Sequence, residues 1–332
     1  MKKVTIYDVA KESGCSTATV SLALNGNHSI KKETRDKILN VSKILNYSPN
    51  YFGKGLTTQK TNTIGLMLPE ITNPIYAQMI EGIELYLHEK GYNLILNISG
   101  MDKEKELHCF EMLKQNKVEG MIVFPTHEEY LTKNIISKGY SNSPLVFCGV
   151  KSSDDSINYI KSDDRFGAQL AVEKLIQSGN KRIAFIAPVS NEHQSYERLE
   201  GYKYALTKNN IEINPQLIIY CSMEYTEIYK KTKELLDDQK PDAIFCLYDF
   251  AAISVMRAIY EMGLKIPQDV SIIGYDNIQI AQYLPVALST VESNSYKMGE
   301  VAAEMLFDII EKNKTEVKHV VLKPKLISRE SV

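Results

Sequence analysis

From residue 63 to its end the chain alternates short, nearly unbroken apolar runs with amphipathic stretches, and this alternation restricts the fold more than any other feature. The runs lie at 64–68, 94–98, 121–124, 145–147, 183–186, 244–247 and 270–273. Apolar runs of this length suit strands buried on both faces, the condition of a parallel sheet covered by helices. The stretches 75–89, 103–115, 166–178, 196–209 and 250–262 carry apolar residues at helical spacing and supply the crossovers. The pattern predicts a doubly wound α/β body, too long for one sheet of ordinary size. The polar stretch 151–155 followed by Tyr159-Ile160-Lys161-Ser162-Asp163 marks the passage to a second part, so two Rossmann-like lobes are expected.

The first 60 residues obey a different rule. Three short helices are predicted at 6–13, 17 to 24 or 25, and about 32–46, separated by Gly14-Cys15-Ser16 and Asn25-Gly26-Asn27-His28. Gly and Asn tolerate positive φ and Ser caps a following helix, so both gaps carry turn chemistry. Ala10, Gly14 and Val20 stand where a helix-turn-helix needs a small residue at the helix crossing, a glycine in the turn and a β-branched anchor. Ile38, Val41, Ile44 and Leu45 line one face of the third helix for packing onto the first two. Tyr47-Ser48-Pro49-Asn50 then stops that helix, because the residue before proline is pushed out of the helical region.

Charge is segregated along the same boundary. Residues 1–60 hold ten Lys/Arg against four Asp/Glu, a balance of +6, which leaves −8 for the rest of a chain whose net charge is −2. A basic amino-terminal module on an acidic body suits a polyanionic partner for the module alone.

Other chemistries find little support. The five cysteines (15, 109, 148, 221 and 246) stand singly, without zinc-ligand spacing, and the six histidines lie far apart. Neither GxSxG nor GxxxxGK[ST] occurs, and Gly53-Lys54-Gly55 lacks the strand and third glycine of a dinucleotide motif. No catalytic residue, metal site or cofactor is expected. No apolar run approaches the roughly 18 residues that span a bilayer, and Met1-Lys2-Lys3 leads into Val-Thr-Ile-Tyr-Asp rather than a signal core, so a cytoplasmic location without a membrane partner is expected.

The stretch from Val4 to Asn50, with Val4-Thr5-Ile6-Tyr7-Asp8-Val9-Ala10, Ser16-Thr17-Ala18-Thr19-Val20-Ser21, Leu24-Asn25, Thr34-Arg35 and Asn46-Tyr47-Ser48-Pro49-Asn50, resembles the headpiece of the lactose-repressor (LacI/GalR) family. The resemblance extends through Thr63-Ile64-Gly65-Leu66, Asn73-Pro74-Ile75-Tyr76, Val118-Glu119-Gly120-Met121-Ile122, Arg198-Leu199-Glu200-Gly201-Tyr202 and the segment from Pro267 to Asn277 to Gly299 in the last helix. It implies a homodimeric transcriptional repressor that binds a near-palindromic operator. Its body is similar to periplasmic sugar-binding proteins and takes a small effector between two lobes.

The implied parts are a DNA-binding domain at 1–47, a hinge helix or linker at 48–61 and an effector-binding and dimerisation domain at 62–332. That last domain divides into one lobe of about 62–161 with 292–321 and another of about 162–291 with 322–332. Carried over by position, Thr17, Ala18 and Leu22 read bases, while Thr5, Ser16, Thr19, Ser21, Asn25 and Thr34 face phosphates. Many members have arginine where this chain has Leu22, so readout is expected to lean on thymine methyls rather than guanine. Asn50 to Leu56 corresponds to a hinge that orders on operator DNA, with Leu56 as the minor-groove wedge. Gly53 stands where members usually have alanine, and Gly53→Ala is expected to tighten operator binding in a titration, since each helical glycine costs roughly 0.5–1 kcal/mol.

For the effector, ligands of open α/β lobes sit beyond the carboxyl ends of strands; that position together with the family resemblance implies Asn73, Tyr76, Arg198, Tyr248, Asp249 and Asp276, and the resemblance alone adds Met223. Arg198 and Asp276 would bond ligand hydroxyls, one offering donors only and the other acceptors only; the alternative is that they pair structurally across the cleft or cap helices. Met223 stands where several relatives stack a tryptophan or phenylalanine, and Tyr248 where sugar binders often have asparagine. The implied effector is a sugar or sugar derivative. The alternative is a pocket filled by Tyr248, with control by a protein corepressor as in the related catabolite-control proteins; a periplasmic-type ligand carrier is a third reading.

Overall fold

The computed structural model describes residues 4–24, 27, 29–47, 61–116, 118–140, 143–188, 193–222, 224–312 and 316–332, with the backbone alone at 188 and 193. The hinge expectations at Asn50, Gly53 and Leu56, and those at Asn25 and Met223, lie outside these residues. The chain divides into two compact units, 1–61 and 62–332.

The first unit holds helices α1 (Ile6–Ser13), α2 (Thr17–Leu24) and α3 (Lys32–Ile44). Asp8 accepts from both the backbone N–H and the hydroxyl of Thr5, at 2.8 and 2.7 Å, which fixes the start of α1. Gly14 ends that helix at φ +67°, a left-handed conformation that is costly for a residue with a Cβ. Val9, Ala10, Val20, Ala23 and Ile38 form the core, with Val41 and Leu45 packed against it. Ile44 departs from the expected face: it is the last residue of α3 and is 73 % exposed.

The second unit is built on two six-stranded sheets. The first contains β1 (Thr63–Leu68), β2 (Asn93–Ile98), β3 (Gly120–Val123), β4 (Leu145–Cys148), β5 (Asn158–Ser162) and, from the far end of the chain, β11 (His319–Leu322). Their spatial order is β11-β5-β4-β3-β1-β2, all parallel. Helices α4 (Pro74–Glu89), α5 (Lys103–Gln115), α6 (Glu128–Ser137) and α11 (Ser295–Glu311) belong with this sheet. The second sheet contains β6 (Ile183–Pro188), β7 (Ile218–Cys221), β8 (Ala243–Cys246), β9 (Ser271–Tyr275), β10 (Ser289–Glu292) and β12 (Lys325–Ile327). Its order is β12-β10-β9-β8-β6-β7, with β12 alone antiparallel. Its helices are α7 (Asp164–Gln177), α8 (His193–Lys208), α9 (Tyr225–Asp238) and α10 (Asp249–Glu261).

Each sheet carries an apolar cluster on both faces, which is why its central strands read as continuous apolar runs. The chain passes between the sheets three times, after β5, after β10 and after β11. The stretch 159–163, expected to be the passage itself, is mostly a strand of the first sheet; the crossing follows at Asp163, whose carboxylate caps α7 through the N–H of Phe166.

Candidate functional site

In the first unit the exposed surface of interest is α2. Ser16 caps it: the N–H of Thr19 donates to Ser16 Oγ at 3.1 Å, and the two hydroxyls lie 2.8 Å apart. Val20 and Ala23 point into the core, so Ala18 and Leu22 are left outside with Thr17 and Ser21 half-buried beside them. The base-reading candidates Thr17, Ala18 and Leu22 thus share one outward side of one helix. Thr5 and Ser16 stand at the amino ends of α1 and α2, Thr19 beside Ser16, and Thr34 half-buried in the first turn of α3. The guanidinium of Arg35 donates to the carbonyls of Asn27 and Ile30 at 2.8 and 3.3 Å, so it holds the connection between α2 and α3. The amino-terminal residues of a helix presented in this way can enter a DNA major groove and reach base edges. Tyr7, 73 % exposed on α1, adds a surface aromatic that the spacing argument passed over.

In the second unit a cavity of about 770 Å³ opens between the two sheets. Asn73 and Tyr76 line it from the start of α4, where the Asn73 side chain caps the helix by accepting from the N–H of Ile75 at 3.1 Å. The Tyr76 ring stands edge-on to Phe124, which follows β3. From the second sheet come Gln194 and Tyr196 on α8 and Tyr248 after β8. Gln194 donates to the carbonyl of Gly149 at 3.1 Å, tying the two walls together.

Tyr248 lines this space without filling it. His127 and Lys133 join the wall from the region of α6. The buried Glu106 carboxylate holds that loop, accepting from the Thr126 hydroxyl at 2.7 Å and from the N–H groups of Thr126 and His127 at 3.2 Å. These residues, with Gln194 and Tyr196, follow the strand-end rule that nominated Asn73. The rule applied equally after β3 and β6, where no characteristic motif drew attention to them.

Arg198, Asp249 and Asp276 form a buried polar group behind Tyr248 rather than part of the cavity wall. Arg198 is 1 % exposed; its Nε donates to Asp164 at 2.8 Å and its Nη1 to the Leu247 carbonyl at 2.5 Å. Its guanidinium lies 3.5 Å from the centroid of the Tyr275 ring and 5.0 Å from that of Tyr248. Burial opposes the Arg198 charge, and the carboxylates of Asp164 and Asp276 more than offset it. Asp276 sits at φ +104° immediately after β9, a strained conformation held by its N–H donating to Val291 O at 2.7 Å. One carboxylate oxygen of Asp276 is 3.5 Å from Arg198 Nη2, yet neither accepts a hydrogen bond from the described residues. Burial raises its pKa well above the carboxylate range, against the pull of Arg198. Asp249 is fully buried and accepts from the Thr290 hydroxyl at 2.6 Å and the Ile278 N–H at 2.9 Å, and burial pushes its pKa up to about 7.

Comparison with known proteins accords with this architecture. Residues 5–50 match the model of bacterial regulatory proteins of the lacI family, and residues 172–332 match a periplasmic binding protein-like domain. Catabolite control protein A of Priestia megaterium is 34 % identical over 99 % of both chains. A crystal structure of the lac repressor dimer bound to operator and an anti-inducer superposes with a TM-score of 0.88 at 25 % identity, covering 99 % of each chain. The transcriptional regulator CelR in complex with cellobiose gives 0.75 at 27 % identity, covering 99 % of this chain and 100 % of that one. With a helix-turn-helix unit, a two-sheet body and similarity along its whole length, the chain belongs to the lacI family of bacterial regulatory proteins.

Proposed function

We propose that this regulator represses transcription from a near-palindromic operator and is controlled by a sugar or sugar derivative bound between its two sheets. Its relatives are regulators rather than enzymes, and a cytoplasmic location gives it access to DNA. Two headpieces reading half-sites about a two-fold axis require a symmetric dimer. Leu85 on α4 with Leu96 and Ile98 on the edge strand β2, and Ile280 and Tyr283 on the second lobe, are exposed apolar side chains suited to that pairing. In the headpiece Thr17, Ala18 and Leu22 face base edges, with Thr5, Ser16, Thr19, Ser21 and Thr34 on the phosphate side. Asn25, Asn50 and the Leu56 wedge complete the interface by resemblance.

The observation that carries the effector reading is the open cavity walled by Asn73, Tyr76 and Tyr248. Its 770 Å³ lies within the range of about 300–1,000 Å³ typical of ligand sites. Aromatic faces beside amide and hydroxyl groups match the alternating apolar and polar surface of a sugar. An open pocket also favours a small molecule over a protein corepressor, for which Tyr248 would have closed the space. Rotation of Tyr248 would expose Arg198 and the open acceptor sites of Asp276 to ligand hydroxyls. Because a ligand shifts an equilibrium only through unequal affinity for two states, binding across both walls would alter how the amino-terminal lobes of the dimer are held.

Thermal-shift screening of the full-length protein against sugars, sugar phosphates and purines, followed by gel shifts with selected operator DNA, tests this reading. A sugar is expected to raise the melting temperature and change operator affinity, and Asp276→Asn should weaken that response. Stabilisation by a purine alone would overturn the carbohydrate assignment, and failure to bind any DNA in selection would overturn the regulatory one.

A further inference from the structure

A second, smaller hollow of about 270 Å³ adjoins the effector cavity. The two share Glu70 and Asn73, but Glu224, Tyr225 and Phe250 line the smaller one alone, while Phe124 and Tyr248 line only the larger. Tyr225 opens α9 and Phe250 lies in the first turn of α10; their ring centroids are 4.2 Å apart and the planes are inclined at 46°. This pair forms an aromatic floor that the second sheet supplies. The first sheet supplies Glu70, Thr72 and Asn73 from the connection between β1 and α4. Glu70 already accepts the hydroxyl proton of Thr72, which orients its carboxylate.

Aromatic faces beside carboxylate and amide acceptors are the complement of a pyranose ring, whose C–H face is apolar and whose rim donates hydroxyl protons. A single hexose seated against Tyr248 and Tyr76 would occupy the larger space and leave Tyr225 and Phe250 untouched. We propose that the smaller hollow is a second sugar subsite, and that the effector is a saccharide of at least two rings laid across Glu70 and Asn73. The inference rests on the carbohydrate reading above and assigns Tyr225 and Glu224 the role of discriminating chain length. Since both sheets line this hollow, the outer ring would also bridge the two lobes and strengthen whichever lobe arrangement the effector favours.

Isothermal titration of the full-length protein with glucose, galactose and ribose, and with cellobiose, lactose and maltose, tests the idea directly. At least one disaccharide should bind about tenfold or more tightly than its component monosaccharides. Tyr225→Ala should erase most of that advantage, a loss of about three- to tenfold for a lost aromatic contact, while leaving monosaccharide affinity unchanged. Glu224→Gln, a conservative exchange at an exposed position, should reduce the same advantage without altering the melting temperature. Equal affinity for mono- and disaccharides, or equal losses for both in Tyr225→Ala, would overturn the second subsite and leave the carbohydrate reading intact. Heat from none of these sugars, or binding of the cationic probe spermidine in their place, would overturn both.

Discussion

Leu22 is 39 % exposed on the outer side of α2; in the proposed base-reading role an arginine there would reach a guanine, whereas a leucine offers only methyl groups. Leu22→Arg is expected to add a guanine requirement at the facing base, because one bidentate pair discriminates by about 1–3 kcal/mol. Operator selection with both proteins would show it as an enrichment of about fivefold or more, and unchanged preference would place Leu22 away from the base edges. Asp249 makes a prediction of a different kind. Its carboxyl ionises near pH 7 when folded and near the ordinary carboxylate value when unfolded. Below about pH 4 both states hold the proton; between there and pH 7 only the folded state does, so stability falls as pH rises through that window. Three units of displacement correspond to roughly 4 kcal/mol, and Asp249→Asn should remove this component. The stability difference between wild type and variant, followed by denaturant unfolding from pH 4 to 7.5, should therefore change steadily; a constant difference would contradict the assignment.

Among the elements, the pair formed by α4 and α11 shows how closely helix packing depends on two glycines. A Cβ on Gly82 would come within 2.2 Å of the Tyr296 carbonyl oxygen, and one on Gly299 within 2.1 Å of the Met79 carbonyl oxygen. Neither partner atom belongs to a movable side chain, so an added methyl must push the helices apart. Gly299→Ala is expected to cost about 1–3 kcal/mol and lower the melting temperature by several degrees, measurable by calorimetry. The outer strands show the opposite dependence. β5, β7, β10, β11 and β12 were not marked by apolar runs because they are short or carry half-exposed residues: the Asn158–Ser162 strand reads Asn-Tyr-Ile-Lys-Ser, and β11 alternates exposed and half-buried positions. The central strands, walled on both faces, carry the apolar run, as does the edge strand β2 at 94–98; the other strands near a sheet edge are interrupted by polar or exposed residues.

For the molecule as a whole, the proposed repression depends on pairing two copies so that their reading helices meet successive half-sites. Leu96 and Ile98 project to the same side of an edge strand, and Leu96 is 42 % exposed, an arrangement that a second copy would cover. Leu96→Glu should shift the protein from dimer to monomer in sedimentation velocity and weaken operator binding by tenfold or more, since a monomer forfeits one half-site. A variant that stays dimeric would move the interface elsewhere. The alternation, the length of the body and the polar stretch 151–155 point to two parallel-sheet lobes and the first crossing. The two later crossings are implied only by the family resemblance, because β10, β11 and β12 depend on partners far away in sequence.

The sequence by itself determined the local features: where helices begin and end around Thr5, Gly14 and Ser16, which runs are buried on two sides, and where basic charge is concentrated. These follow from backbone preferences and from burial periodicity, both of which act over a few residues. Tertiary structure decided which strand-end residues meet. It set Asn73, Tyr76 and Tyr248 around one cavity, placed Arg198, Asp249 and Asp276 behind Tyr248, and brought Tyr225 and Phe250 beside Glu70. The physical reason is that a side chain at the end of a strand faces a cleft or a core according to what the neighbouring strands and crossover helices leave open, and that is settled only when distant segments pack.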